Sequence, residues 1–269
     1  MPNTLHCKVV GQYQPHRPDI VMLHGFLGQH RDWLQVIQPW QHQYRFILVD
    51  LPGHGLSRVE YNTDNGFEHA HQSLVNTLQQ LNVGRYQLLG YSLGGRLAMY
   101  HALQQPCGLE SLLLESCHPG VASVRIKLKR DAWEKQWQQR LLQQSTEVTL
   151  NKWYQQAVFA SLTRVQRQQQ IQRKLLNPNK TQWARALGSL SLRKQPNLWQ
   201  IGQQTDLRVH YIVGANDPRY ATLARKMLRS SPTAKITIVR NAGHNIHFTA
   251  PHAWQHHFEQ WLKLGFTHA

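Results

Sequence analysis

The sequence predicts an α/β fold: a mostly parallel sheet flanked by helices, with a helical segment inserted into it. Three observations predict it. Short apolar runs alternate with helix-length amphipathic stretches through the first 118 residues and again from residue 194 onward. Between them, over 119–193, the apolar spacing is helical and no strand-like run occurs. Turn-rich motifs stand at the ends of several apolar runs, the edge where open parallel sheets collect their chemistry.

The elements follow in order. Asp19 to His24 is a short apolar run that stops at Gly25, as a buried parallel strand does. A helix is predicted over Gln29 to Gln41, with Trp33, Val36, Ile37 and Trp40 on one face. Tyr44 to Asp50 is the next strand, closed by Pro52-Gly-His-Gly55. A helix over Gly66 to Leu81 carries Phe67, Leu74, Leu78 and Leu81 at helical spacing. Then come a strand over Tyr86 to Gly90, a helix over Ser92 to Gln104 and a strand over Leu109 to Glu115. After His118-Pro-Gly120, one helix is marked by Leu128, Trp133, Trp137 and Leu141, and Trp153, Ala157, Phe159 and Leu162 mark a second buried region. Strand and helix then alternate again: a strand over Val209 to Val213, a helix over Pro218 to Leu228, a strand over Lys235 to Val239 and a last helix over Pro251 to Leu264. The reading divides the chain into a core, 1–118 with 194–269, and a helical cap, 119–193.

Of the 269 residues 41% are hydrophobic, enough for a sizeable core. Three cysteines, Cys7, Cys107 and Cys117, without CxxC spacing argue against a disulfide framework or a zinc site and fit a reducing cytoplasm. No run is long enough to span a membrane, and Met1 to Val10 lacks the pattern of a signal peptide. The net charge of +16 is unusual. The 119–195 stretch holds fifteen Lys and Arg against three acids, which is +12 of that total. A concentration of this kind suits nucleic acid, an acidic surface or an anionic substrate. The sequence offers no recognition motif or stacking aromatics for nucleic acid, and most of these cations are expected to be solvated.

Gly90-Tyr-Ser-Leu-Gly94 matches Gly-x-Ser-x-Gly between a predicted strand and a predicted helix. Its glycines permit the sharp turn that lifts a serine hydroxyl above the sheet, beside the free N–H groups of a helix start. A serine needs a base, and the base needs an orienting carboxylate. Asp217 follows the strand ending at Val213-Gly214, and His244 follows the last strand, so both fall on the same sheet edge in the order Ser, acid, His. Among 17 histidines, His247 is the competing base. Asp206 is an alternative acid that precedes its strand and falls at the wrong end of the sheet. His24-Gly-Phe26 has the composition of an oxyanion loop, so the backbone N–H groups of Phe26 and Leu93 are the expected donors, with His24 packed beneath. Three motifs in this order at strand ends predict an α/β-hydrolase fold.

The chain resembles the 2-succinyl-6-hydroxy-2,4-cyclohexadiene-1-carboxylate synthases of menaquinone biosynthesis in their gamma-proteobacterial form. The resemblance rests on His24-Gly-Phe-Leu-Gly28, Val49-Asp-Leu-Pro-Gly-His-Gly55, Gly90-Tyr-Ser-Leu-Gly-Gly-Arg96, His118-Pro-Gly120, Trp153-Tyr-Gln-Gln-Ala-Val-Phe-Ala-Ser-Leu162 and Ala242-Gly-His-Asn-Ile-His247. The first two recur across the superfamily; Arg96, His118-Pro-Gly120 and the Trp-Tyr-Gln-Gln stretch discriminate. It implies a cytoplasmic lyase without cofactor or metal, with a small polycarboxylate as its partner, no nucleic acid and no membrane; a monomer is allowed. The implied reaction eliminates pyruvate from 2-succinyl-5-enolpyruvyl-6-hydroxy-3-cyclohexene-1-carboxylate. Ser92 acts as a base through His244, and Phe26 and Leu93 hold the oxyanion. By the same resemblance Arg96 and Arg130 clamp carboxylates and the third clamp falls on Lys174 with Arg173 adjacent, while Tyr91 and Trp153 are pocket aromatics. Ala157 stands where the family commonly has proline. The competing enzyme reading is a carboxylesterase or C–C hydrolase for an anionic substrate, with Ser92 as nucleophile.

Overall fold

A computed structural model describes residues 3–58, 65–201, 207–229 and 234–264. Seven strands form one sheet: β1 (Cys7–Val10), β2 (Asp19–Leu23), β3 (Phe46–Val49), β4 (Tyr86–Tyr91), β5 (Leu109–Glu115), β6 (Arg208–Gly214) and β7 (Lys235–Val239). Their spatial order is β1-β3-β2-β4-β5-β6-β7, and all pairs are parallel except β1 with β3. β2, β3 and the first five residues of β4 are buried throughout, which explains why they read as unbroken apolar runs rather than alternating ones.

α1 (Gly66–Gln80) and α2 (Leu93–Leu103) pack one sheet face together with α7 (Pro218–Arg229). The opposite face is covered by α8 (Pro251–Leu264) and by residues 30–40, through Trp254, Phe258 and Trp261 against Trp33, Ile37 and Trp40. Between β5 and β6 lie α3 (Val124–Gln143), α4 (Thr146–Trp153), α5 (Arg164–Leu175) and α6 (Lys180–Ser189). Each opens on a capping side chain, Ser123, Ser145, Thr163 and Asn179, that accepts a first-turn N–H, which is why four helices start cleanly within a polar stretch. Their apolar faces make a separate core around Trp137, Leu150, Trp153, Phe159, Ile171 and Trp183. Among the described residues no helix is long and apolar enough to cross a membrane.

Three local expectations are corrected. The single helix over 29–41 is instead two 3-10 turns, His30–Asp32 and Gln38–Trp40, around a short α-turn, Leu34–Ile37. Pro39 accounts for the second break, because it lacks an N–H and its ring clashes with the preceding turn. The buried positions Trp33, Val36, Ile37 and Trp40 nevertheless point inward. Leu128, assigned to the inner face of α3, is 58% exposed. It lies nine residues from Trp137, about two and a half turns on a 3.6-residue repeat, and so on the opposite face. β1 was not predicted: a four-residue edge strand carrying Lys8 shows neither alternation nor an apolar run.

Candidate active site

The site begins with the turn between β4 and α2. Ser92 has φ 50° and ψ −106°, a strained conformation for a residue with a side chain. Gly94 allows it: a Cβ there would come 2.3 Å from the Leu23 carbonyl oxygen, and its N–H donates to the His24 carbonyl at 3.0 Å. Gly90 is constrained likewise, because a Cβ would come 2.5 Å from the Gly94 carbonyl. The two glycines let strand, turn and helix stack tightly enough to present the hydroxyl.

His244 Nε2 lies 3.1 Å from Ser92 Oγ, and its Nδ1 lies 2.7 Å from Asp217 Oδ2. Asp217 sits in the turn after β6, where its N–H donates to Gly214 and its Oδ1 accepts from the Tyr220 N–H at 3.3 Å. With Nδ1–H donating to the carboxylate, Nε2 is the free acceptor for the serine proton. Tyr220 and Tyr91 flank the imidazole at 4.6 and 5.5 Å between ring centroids.

The competing residues have other partners. His247 Nδ1 lies 2.8 Å from Glu115 Oε1. The same buried carboxylate accepts the N–H groups of Ile246 and His247 and the Trp254 indole N–H. Glu115, at the end of β5, thus ties down the loop that carries His244. In the sequence the trace of this role is an acid closing an apolar strand. Asp206, the alternative acid, lies outside the described residues.

Phe26 and Leu93 border the same cavity as Ser92. Among the described residues neither N–H has an acceptor within the protein. Leu93 owes this to its place at the start of α2, where first-turn N–H groups have no intrahelical partner. His24 is buried beneath this loop. Its Nε2 accepts the Leu51 N–H at 2.9 Å, so Nδ1 carries the proton toward the Gly25 carbonyl at 2.7 Å. Burial holds its pKa below the usual range, which suits a neutral structural ring.

The Ser92 cavity, about 380 Å³, is walled on the other side by the helices between β5 and β6. Trp153 reaches it and packs on Phe26 at 4.9 Å. Arg96, one turn after Ser92, lines it and donates through Nη2 to the Leu190 carbonyl at 2.7 Å and through Nε to Gln195. Burial lowers its pKa to about 10, partly offset by Glu134, so it stays charged at neutral pH. Arg130 lines the cavity too, with Nε on Glu134 at 2.7 Å and its guanidinium 3.9 Å over Trp133. A guanidinium has five donors, so both retain N–H groups for a ligand.

Lys174, the third expected clamp, has a carboxylate partner within the protein. Lys174 Nζ lies 2.8 and 3.0 Å from the two oxygens of Asp32, and only 4% of its side chain is accessible. Burial raises the pKa of Asp32, but the Lys174 charge and hydrogen bond outweigh it and hold the carboxyl below its usual range. Lys174 and Arg173 border a second cavity of about 850 Å³ with Asp32, His247 and Phe248; Arg173 stands 5.1 Å over the Phe248 ring. Phe26, Tyr91 and Phe159 line both cavities. The basic spacing on α5 could not reveal Asp32, which lies 142 residues away in sequence.

The Ser92 cavity is also lined by His118, Arg219 and Tyr220, which the sequence alone does not single out as site residues. Two of them carry a signal: His118 opens the His118-Pro-Gly120 motif, and Arg219 stands two residues after Asp217. Elsewhere, His6, His30 and Asp50 cluster as potential metal ligands. The Asp50 oxygens there already accept both imidazoles at 2.8 to 3.0 Å and the N–H groups of His30 and Leu56.

Among known proteins, the model of the alpha/beta hydrolase family matches residues 20–254. A 2-succinyl-6-hydroxy-2,4-cyclohexadiene-1-carboxylate synthase of Pectobacterium atrosepticum is 38% identical, with 94% of this chain and 97% of that protein covered. Its counterpart in Enterobacter sp. is 35% identical over 93% and 94%. Of solved structures, MenH from S. aureus superposes with a TM-score of 0.89 at 26% identity, covering 97% of this chain and 98% of that one. An esterase from Thermogutta terrifontis gives 0.79 at 19% identity, which is a likeness of fold alone.

Proposed function

The chain belongs to the α/β hydrolase family and, within it, to the 2-succinyl-6-hydroxy-2,4-cyclohexadiene-1-carboxylate synthases, and from that membership we propose how its residues carry the reaction. It is a lyase of menaquinone biosynthesis that releases pyruvate from 2-succinyl-5-enolpyruvyl-6-hydroxy-3-cyclohexene-1-carboxylate. The substrate's single ring double bond lies at carbon 3 and the product's two lie at 2 and 4. A base therefore takes the proton from carbon 2, the 2,3 double bond forms, the old one shifts to 4,5, and the carbon 5–oxygen bond breaks to expel enolpyruvate, which becomes pyruvate.

Carbon 2 is adjacent to the succinyl ketone, so negative charge accumulates on that carbonyl oxygen as the proton leaves. Ser92 Oγ takes the proton while His244 draws the serine's own proton through Nε2. Asp217 steadies the imidazolium. The N–H groups of Phe26 and Leu93 meet the enolate oxygen; such a donor typically lowers the barrier by ~3 kcal/mol. The observation that carries this reading is the unbroken Ser92–His244–Asp217 relay facing a cavity lined by arginines. The three carboxylates of the substrate are what those charges answer.

Residues 119–193 serve as a cap over a core of 1–118 and 194–269, and the cavity between them takes a freely diffusing polycarboxylate rather than nucleic acid. Three free cysteines favour a cytoplasmic setting and action as a monomer needs no residue from a second copy. The test supplies the enolpyruvyl substrate and follows pyruvate together with the ultraviolet absorbance of the conjugated diene. One diene per pyruvate supports elimination. Pyruvate without diene would mark enol-ether hydrolysis, and comparable turnover of nitrophenyl esters would mark an esterase.

A further inference from the structure

A substrate with three carboxylates asks for three cations, and Lys174 is paired with Asp32 and lines the neighbouring cavity rather than that of Ser92. Arg96 and Arg130 supply two at the Ser92 cavity. A third guanidinium already stands there. Arg219 occupies the first turn of α7, two residues after Asp217, and lines the same cavity from an exposed position. Among the described residues it has no carboxylate partner, so a ligand would displace nothing to reach it.

The electrostatics of the wall agree with this placement. His118 and Tyr220 face each other there at 6.4 Å. Burial and then the charges of Arg219, Arg96 and Arg130 hold His118 down at about 3. Burial raises Tyr220 while the same three guanidiniums, with Arg219 foremost, pull it back. Lys174 exerts its influence elsewhere, on Asp32, His24 and His54. Three positive charges thus converge on one patch beside Ser92.

We propose that Arg219 is the third carboxylate-binding cation of this site, a substrate-specificity residue at the cavity mouth. The inference rests on the function proposed above. An exposed arginine can meet a carboxylate with a two-pronged pair at little desolvation cost, and its contribution is correspondingly moderate.

The experiment measures pyruvate-matched diene formation by the wild-type chain and by Arg219→Gln, Arg219→Lys and Lys129→Ala, with thermal melting beside each. Lys129 is an exposed cation on α3 that does not border the cavity. Arg219→Gln is expected to raise KM about tenfold with kcat within about twofold, equal to the loss of ~1.4 kcal/mol of binding. Arg219→Lys should fall between, since it keeps charge and loses the fork. Lys129→Ala should match wild type. If Arg219→Gln keeps the wild-type KM, or if Lys129→Ala raises KM as much, the assignment is overturned while the function stands. If the wild-type chain yields no diene, the function falls and this inference with it.

Discussion

Replacing Lys174 by Met separates a structural cation from a substrate clamp. Lys174 and Asp32 meet through two hydrogen bonds, at 2.8 and 3.0 Å, with side-chain accessibilities of 4% and 17%. The substitution leaves Asp32 with the Gln29 N–H at 3.2 Å as a donor in place of an ammonium. Breaking one side of a buried pair costs about 3–5 kcal/mol, and the partial accessibility of Asp32 favours the lower end. For 269 residues an unfolding entropy of roughly 2.1 cal/mol/K per residue converts ~3 kcal/mol into a fall of about 5 °C in Tm. Asp32→Asn/Lys174→Met should recover most of that loss, because no charge is then left unpaired. The sign with pH follows from the depressed Asp32 pKa. The stabilisation is present above the ordinary carboxylate range and disappears as pH falls through the lowered value, so wild type and double variant should converge in acid. Differential scanning calorimetry reads Tm, and steady-state assays read KM. A Tm within 1 °C of wild type (against the ~5 °C expected) together with a KM raised tenfold or more would refute the reasoning and return Lys174 to the substrate.

Asp217→Asn should keep the fold and lower kcat by about 10⁴-fold, a magnitude known from the equivalent change in a serine protease, because the amide favours the wrong imidazole tautomer; stopped-flow diene absorbance checks it. Arg96→Ala should raise KM by tenfold or more and also lower kcat, since it strips partners from Gln195 and the Leu190 carbonyl as well as from substrate. Burial holds His54, His101, His118 and His210 near 3, against an ordinary value of 6.5. Below pH 6.5 the unfolded chain therefore takes up protons that the folded chain refuses, which lowers stability by up to ~1.4 kcal/mol per pH unit for each ring. A urea midpoint at pH 5 equal to that at pH 7 would contradict it.

Where local pattern and tertiary demand coincide, the sequence was readable. β5, β7 and α8 fall on their predicted bounds because apolar runs or helical spacing end there at turn residues. The Gly90 to Gly94 turn was legible for a steric reason: only glycine fits where carbonyl oxygens approach within about 2.5 Å of a Cβ position. Long-range pairing was not legible. Neither Glu115 bridging to His247 nor Asp32 bridging to Lys174 leaves a periodic trace, because each joins residues more than 100 positions apart. Arg219 carries a local signal, two residues after Asp217, but its grouping with Arg96 and Arg130 does not show in the sequence. Its proximity to Arg96 and Arg130 exists only once α7 is set beside the helices that carry them.

The most direct test of the proton-abstracting relay is the single-turnover rate of diene formation by Ser92→Ala at saturating substrate. If Ser92 Oγ takes the carbon 2 proton, that rate falls by roughly 10²–10⁴-fold while pyruvate and diene remain matched. A Ser92→Ala enzyme that forms diene within about twofold of the wild-type rate, far short of that loss, would show that another group removes the proton.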